Sequence, residues 1–87
     1  GFTDEEVNYY CYAFIEKLAG SNTSIRNFTV HFDRLFNLDT GTGIYIFKRL
    51  IALKKIMVDM NKKIDLNDST RSIEIINPSL TERVRVL

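Results

Sequence analysis

The sequence predicts an α+β domain in which three helices are followed by a C-terminal β-hairpin, the order of elements in a winged helix-turn-helix. Apolar residues recur at intervals of three and four through most of residues 4–64, as on the buried face of a helix. From residue 72 onward they are β-branched or alternate with polar residues, as in strands. We expect residues 1–87 to form one small domain, and the start at Gly1 without methionine suggests a fragment of a longer protein.

The first helix is predicted over residues 4–19. Thr3 and Glu6 have the spacing of a capping box, which satisfies two backbone N–H donors at a helix start. Gly20 is placed to end the helix. One face of it is apolar and is made of Val7, Tyr10, Cys11, Phe14, Ile15 and Leu18.

The second helix is predicted to begin after Thr23 or Ser24, either of which can cap it, and to close at Asn37. Its apolar face is rich in phenylalanine and consists of Ile25, Phe28, Phe32, Leu35 and Phe36. The connection to the next helix contains two glycines, which permit left-handed backbone angles. The residues able to cap that helix are Asp39, Thr40 and Thr42.

The central helix is predicted over residues 44–64, where the apolar stripe is longest. Its members are Ile46, Leu50, Leu53, Met57, Met60 and Ile64. A helix of this length exceeds what a recognition helix needs, so we expect its last turns to be free for dimerisation. We expect one core to form where the stripes of the three helices meet, from Phe14, Leu18, Phe28, Phe32, Phe36, Leu50 and Leu53.

The hairpin is predicted from strands at Ser72–Ile76 and Glu82–Val86, on either side of a turn at Asn77 and Pro78. One face of it would present Ile73, Ile75, Val84 and Val86 to the helices. A helical turn beginning at Pro78 is the alternative for residues 78–87.

Composition excludes several classes of protein. A single cysteine rules out an intramolecular disulfide framework and fits a cytoplasmic location, and no apolar run is long enough to span a bilayer. His31 and Cys11 have no partner residues at catalytic or metal-ligand spacing, so we predict a partly buried histidine and a buried thiol. The chain is therefore expected to lack enzymatic activity, cofactors and metals.

Charge is the remaining functional signal. The net charge of +1 hides a basic stretch, because residues 44–63 carry six cations and one acid. A basic helix in this position suggests duplex DNA as the partner. The predicted contact residues are Tyr45, Lys48, Arg49 and Lys55 on the central helix, with Arg83 and Arg85 on the hairpin. The alternatives are an ordinary solvated face, or a protein-interaction or homodimerisation module without a nucleic-acid role.

The stretch from Ile25 to Gly41 resembles the late segment of RteC-type regulators of Bacteroides conjugative elements. The positions that carry the likeness are Ile25, Phe32, Phe36, Asn37, Leu38, Asp39 and Gly41, followed by Phe47 and Leu50. Beyond Lys55 the chain departs from the helical, basic ending of that family. The resemblance implies a winged-helix DNA-binding domain of a transcriptional regulator, and it supplies no contact residues because the matching positions are structural.

Overall fold

The computed structural model describes residues 2–59, 61 and 63–76. Three helices come first, α1 (Asp4–Leu18), α2 (Ile25–Leu35) and α3 (Thr42–Ala52). A short strand β1 (Ile56–Met57) follows α3, and a single 3₁₀ turn (Thr70–Ser72) precedes strand β2 (Glu74–Ile75). The two strands pair antiparallel, with Ile56 opposite Ile75 and Met57 opposite Glu74. The predicted fold class, α+β with three helices followed by a C-terminal β-hairpin, is confirmed in that three helices precede an antiparallel two-stranded sheet.

The first two helices begin where the sequence indicates. Thr3 and Glu6 form both hydrogen bonds of the capping box at the start of α1. Ser24 caps α2 by accepting a hydrogen bond from the backbone N–H of Asn27 at 3.1 Å. Helix α1 ends one residue before the predicted boundary, with Ala19 as its C-cap.

Helix α2 ends in a Schellman motif around Asn37, whose φ is +55°. The N–H of Leu38 donates to the carbonyl of Asp33 at 2.7 Å, and the N–H of Asn37 donates to that of Arg34 at 3.2 Å. Asparagine adopts left-handed backbone angles more readily than most residues, which is why this end is predictable from the sequence.

The prediction of a central helix over residues 44–64 is wrong at both ends. The helix begins at Thr42 and stops at Ala52, again in a Schellman motif, with Lys54 at φ +59°. The N–H of Lys55 donates to the carbonyl of Leu50 at 2.9 Å, and the N–H of Lys54 donates to that of Ile51 at 3.0 Å. Residues 53–59 are therefore not helical, and the last turns expected to serve dimerisation do not form there.

The sheet also differs from the predicted hairpin. Strand β2 lies within the predicted segment 72–76, but its partner is β1, a segment that the apolar stripe had placed in the central helix. The predicted second strand at 82–86 lies outside the described residues, as do Val84 and Val86. Ile73 and Ile75 are half-buried and pack against the core, as predicted for that face.

The core lies between the three helices and the sheet. Most of the predicted members are buried, and Phe14, Phe32 and Leu50 are each no more than 1% exposed. Phe36 is only half-buried, and the prediction for Leu53 is wrong because that side chain is 49% exposed. Leu53 is the C-cap of α3, so the chain leaves the helix there and helical spacing no longer turns this side chain toward the core. The core instead includes Phe47 and Ile56, both buried.

Candidate nucleic-acid interface

The start of α3 is held by a side chain from α2. Asp33 is buried, and its carboxylate accepts hydrogen bonds from the backbone N–H groups of Gly41 at 3.0 Å and Gly43 at 2.6 Å. These donors belong to the N-cap and the first turn of α3, where the positive end of the helix dipole favours an anion. The caps predicted from neighbouring residues do not form, because the N-cap Gly41 has no side chain and Asp33 supplies the oxygens.

Helices α2 and α3 also approach each other closely at Gly43. A β-carbon at this position would lie 2.8 Å from the backbone oxygen of Thr29 and 3.1 Å from the Asp33 carboxylate. Glycine is therefore required at this contact by space, not by backbone angle. Together, the Asp33 hydrogen bonds and the Gly43 contact fix the orientation of α3 relative to α2.

The outer face of α3 is formed by Tyr45, Lys48 and Ala52, which follow one another at intervals of three and four and are all exposed. The ring of Tyr45 is 49% exposed and lines a shallow groove of about 390 Å³ with Phe2 and Gly41. The ammonium group of Lys48 is free to reach solvent on this face. Two of the six predicted contact residues, Tyr45 and Lys48, thus lie side by side on an accessible helix surface.

Arg49 lies on a different side of α3 from Lys48. It is half-buried, and its Nε is shielded from solvent and has no hydrogen-bond partner among the described residues. Its guanidinium is beside Cys11 of α1: burial raises the pKa of that thiol, and the Arg49 charge acts in the opposite direction. Arg49 therefore belongs in part to the α1–α3 packing.

The basic stretch continues beyond the end of α3. Lys54 is exposed and Lys55 half-buried, and the segment from residue 40 to residue 58 contains four cations and no acid. Arg83 and Arg85, the two contact residues predicted on the hairpin, lie outside the described residues.

The loop between β1 and β2 is attached to the start of α2. The N–H of Ile25 donates to the carbonyl of Asp68, that of Arg26 to Leu66, and that of Thr70 to Thr23, at 2.7–2.8 Å. An isolated antiparallel bridge joins Ser24 to Ser69 in the same place. Residues 66–70 are thus fixed against the helices, and the part of the loop that precedes them presents Lys63 and Ile64 to solvent.

Other candidate groups in the described part of the chain do not form a chemical site. Cys11 is buried as predicted, but His31 is exposed and not partly buried, because it lies at the edge of the α2 stripe rather than within it. No three His, Cys, Asp or Glu side chains among the described residues are grouped so that they could hold a metal ion. None of the described helices combines the length and apolar character needed to cross a bilayer.

The chain was compared with known protein families, curated proteins and solved structures. The family model described as TnsA endonuclease C terminal matches residues 1–60, which contain all three helices and β1. No curated protein and no solved structure matches the chain significantly.

This match corrects two sequence-based interpretations. The resemblance to RteC-type regulators is wrong as an assignment of family, and so is the role in transcription regulation that it implied. The matching residues Phe32, Phe36 and Leu50 lie in or against the core, so the likeness rests on positions that pack the helices together. The expectation of a protein without enzymatic activity needs qualification, since the matched family is the C-terminal part of an endonuclease.

Proposed function

The chain belongs to the TnsA endonuclease C-terminal family, and from this we propose that it is a DNA-binding domain of a transposase endonuclease. In this proposal the domain binds duplex DNA and holds it for cleavage by catalytic groups outside this chain. Helix α3 lies against the DNA, and Tyr45 and Lys48 make the central contacts. The basic residues that come after α3, Lys54 and Lys55, bind phosphates beside it.

One observation supports this proposal most directly. The exposed strip of α3 bears an aromatic ring and an ammonium group, in a segment of 19 residues, 40–58, that has no acid. All eleven acids of the chain lie outside this segment, and all of them except Glu82 are among the described residues. A stretch of chain that carries cations and no acid favours phosphate beside α3.

The geometry also refines the set of contact residues. We propose that Lys63 joins the interface, because it is an exposed cation on the loop between the two strands. Arg49 is half-buried and its guanidinium lies beside Cys11 of α1, so we do not expect it to read bases. Arg83 and Arg85 remain predictions from the sequence.

Titration of the domain against a fluorescent, mixed-sequence duplex at several salt concentrations tests the proposal. If Lys48, Lys54, Lys55 and Lys63 each neutralise one phosphate, the logarithm of the affinity should fall against that of salt with a slope of about −3.6, at about −0.9 per contact. Lys48→Glu should weaken binding by about ten-fold or more, since it removes one attraction and adds a repulsion. Tyr45→Ala should weaken binding with little change in the salt slope.

Lys17→Glu provides the matched control, because it makes the same change of charge on the exposed surface of α1. We expect it to alter binding far less than Lys48→Glu does. No binding at concentrations of tens of micromolar (about 6 kcal/mol of affinity) would overturn the proposal. An equal effect of Lys17→Glu and Lys48→Glu would show that only net charge matters and would remove α3 from the interface.

A further inference from the structure

Helix α1 has a second stripe on the side away from the core. The buried stripe consists of Val7, Cys11, Phe14 and Leu18, at intervals of four, three and four. The outer stripe consists of Glu5, Tyr9, Tyr12 and Glu16, at the same intervals and all exposed. It begins two residues earlier, a rotation of about 200° around the helix, so the two stripes face in nearly opposite directions.

The two tyrosines of the outer stripe are unusually accessible. Tyr12 is 74% exposed, the highest value among the large apolar side chains described, and Tyr9 is 61% exposed. The ring of Tyr9 is nevertheless held edge-on against Phe36, with 6.3 Å between ring centroids. A ring that is positioned and exposed loses little freedom when a partner covers it, and tyrosine is among the residues that contribute most to protein interfaces.

The charge around these rings is negative. Helix α1 contains four acids, Asp4, Glu5, Glu6 and Glu16, and a single lysine, which is a net charge of −3 over its 15 residues. Carboxylates at both ends of the tyrosine pair repel phosphate, so this stripe is unsuited to DNA or to an anionic membrane. They attract a cation, and a guanidinium can stack on a tyrosine ring while it donates two hydrogen bonds to a carboxylate.

We propose that the outer stripe of α1 is a docking surface for an arginine-bearing helix of another protein. Arginines of the partner stack on Tyr9 and Tyr12 and pair with Glu5 and Glu16. Arginine is the expected residue because lysine presents a point charge and cannot form the stacked, bidentate contact. This surface is separate from the outer face of α3, so the domain can bind DNA and the partner at the same time.

Two alanine-based helical peptides serve as probes, one with three arginines spaced four and three residues apart and one with lysines in their place. Each is titrated into the isotopically labelled 87-residue chain at low ionic strength, and backbone amide shifts are followed. The expected result is a set of shifts confined to α1, with several times tighter binding of the arginine peptide. Tyr12→Ala should weaken that binding by about ten-fold, as for a central aromatic interface residue.

Two variants complete the design. Tyr12→Phe keeps the ring and should bind the arginine peptide like the parent, whereas Tyr45→Ala on α3 should affect DNA binding alone. Loss of DNA binding in the Tyr12→Ala variant would contradict the separation of the two surfaces.

Three other outcomes would overturn the proposal. Shifts centred on α3 would place the peptide elsewhere, and equal binding of the two peptides without dependence on Tyr12 would reduce the effect to net charge. Self-association of the chain through α1, seen by sedimentation and abolished by Tyr12→Ala, would make a second copy the occupant. The peptide test stands whether or not the domain binds DNA.

Discussion

Helices α2 and α3 end in the same backbone geometry, but only the end of α2 can be predicted from the sequence. Each closes with the two hydrogen bonds of a Schellman motif and one residue at positive φ. In α2 this residue is Asn37, a type that favours the left-handed region, and the predicted end is correct. In α3 it is Lys54, a type that favours helix interiors, and the predicted helix runs on to residue 64. A helix can therefore be stopped by the segment after it as well as by its own residues.

The segment after α3 is strand β1, and its burial accounts for the stop. Ile56 is 1% exposed and pairs with Ile75, and the N–H of Ile76 donates to the carbonyl of Lys55 at 2.9 Å. Full burial of an isoleucine side chain is worth about 1.5–3 kcal/mol, whereas holding a non-glycine residue in the left-handed region costs about 1–2 kcal/mol. Burial and strand pairing together therefore outweigh the strain at Lys54.

The largest expected effect on stability separates two positions, Phe32 and Leu53, that were predicted from the sequence to share one core. Phe32→Ala should lower the free energy of unfolding by about 3–5 kcal/mol because the ring is 1% exposed. Leu53→Ala should lower it by less than about 1 kcal/mol, since half of that side chain is in solvent. Urea unfolding followed by circular dichroism measures both. Similar losses at the two positions would mean that α3 continues past Ala52.

The next effect concerns Asp33, which takes part in the end of α2 and the start of α3. Its backbone carbonyl accepts the hydrogen bond that ends α2, and its carboxylate accepts two hydrogen bonds from the backbone at the start of α3. Asp33→Ala leaves two backbone donors at the start of α3 without partners and should cost about 2–3 kcal/mol. Asp33→Asn should cost less, because an amide oxygen can still accept one of the two bonds. Asp39→Asn, at an exposed position two residues before Gly41, is the control and should change stability by less than about 0.5 kcal/mol. Equal stability of Asp33→Ala and the parent would disprove the role of Asp33 as a cap.

Gly43→Ala tests the close contact between α2 and α3 through a residue of α3. The new methyl group meets the Thr29 carbonyl at 2.8 Å and must push α3 away, at a cost of about 1–3 kcal/mol. Gly20→Ala is the control, because nothing lies within 4 Å of a β-carbon there. Since Gly43 lies in the first turn of the helix that carries Tyr45 and Lys48, DNA affinity should fall as well. A variant as stable as the parent, measured by the same urea titration, would show that α2 and α3 can separate freely.

The smallest effect addresses the two helix ends themselves. Lys54→Gly should raise the free energy of unfolding by about 0.5–1 kcal/mol, because glycine adopts positive φ without strain. The gain is smaller than the full strain energy, since glycine loses more conformational entropy on folding than lysine does. Asn37→Gly should change it by less than about 0.5 kcal/mol, since asparagine already tolerates this conformation. Thermal melts resolve the difference if both variants are compared in one buffer. A destabilised Lys54→Gly variant would indicate that Lys54 is helical.

The residues of the candidate interface also differ in how far the sequence alone predicts their positions. Tyr45 and Lys48 are identifiable from the sequence because they lie off an apolar stripe near the start of α3, where periodicity alone decides exposure. Arg49 is adjacent in sequence, yet its position beside Cys11 depends on how α1 crosses α3. Asp33 gave no signal at all, because its partners are backbone groups eight and ten residues away.

Local sequence is sufficient to predict the fold class, the starts of α1 and α2, the end at Asn37 and the phenylalanine core. These features depend on side chains close together in the chain, whose spacing reports caps and buried faces directly. The end of α3, the partner of β2 and the cap of α3 depend instead on contacts formed in the folded domain. In each case the deciding contact joins different elements of the fold. The pairing of Ile56 with Ile75 outweighs the preference of Lys54 for a helix, and the hydrogen bond from Gly43 to Asp33 outweighs the preference of glycine for a turn.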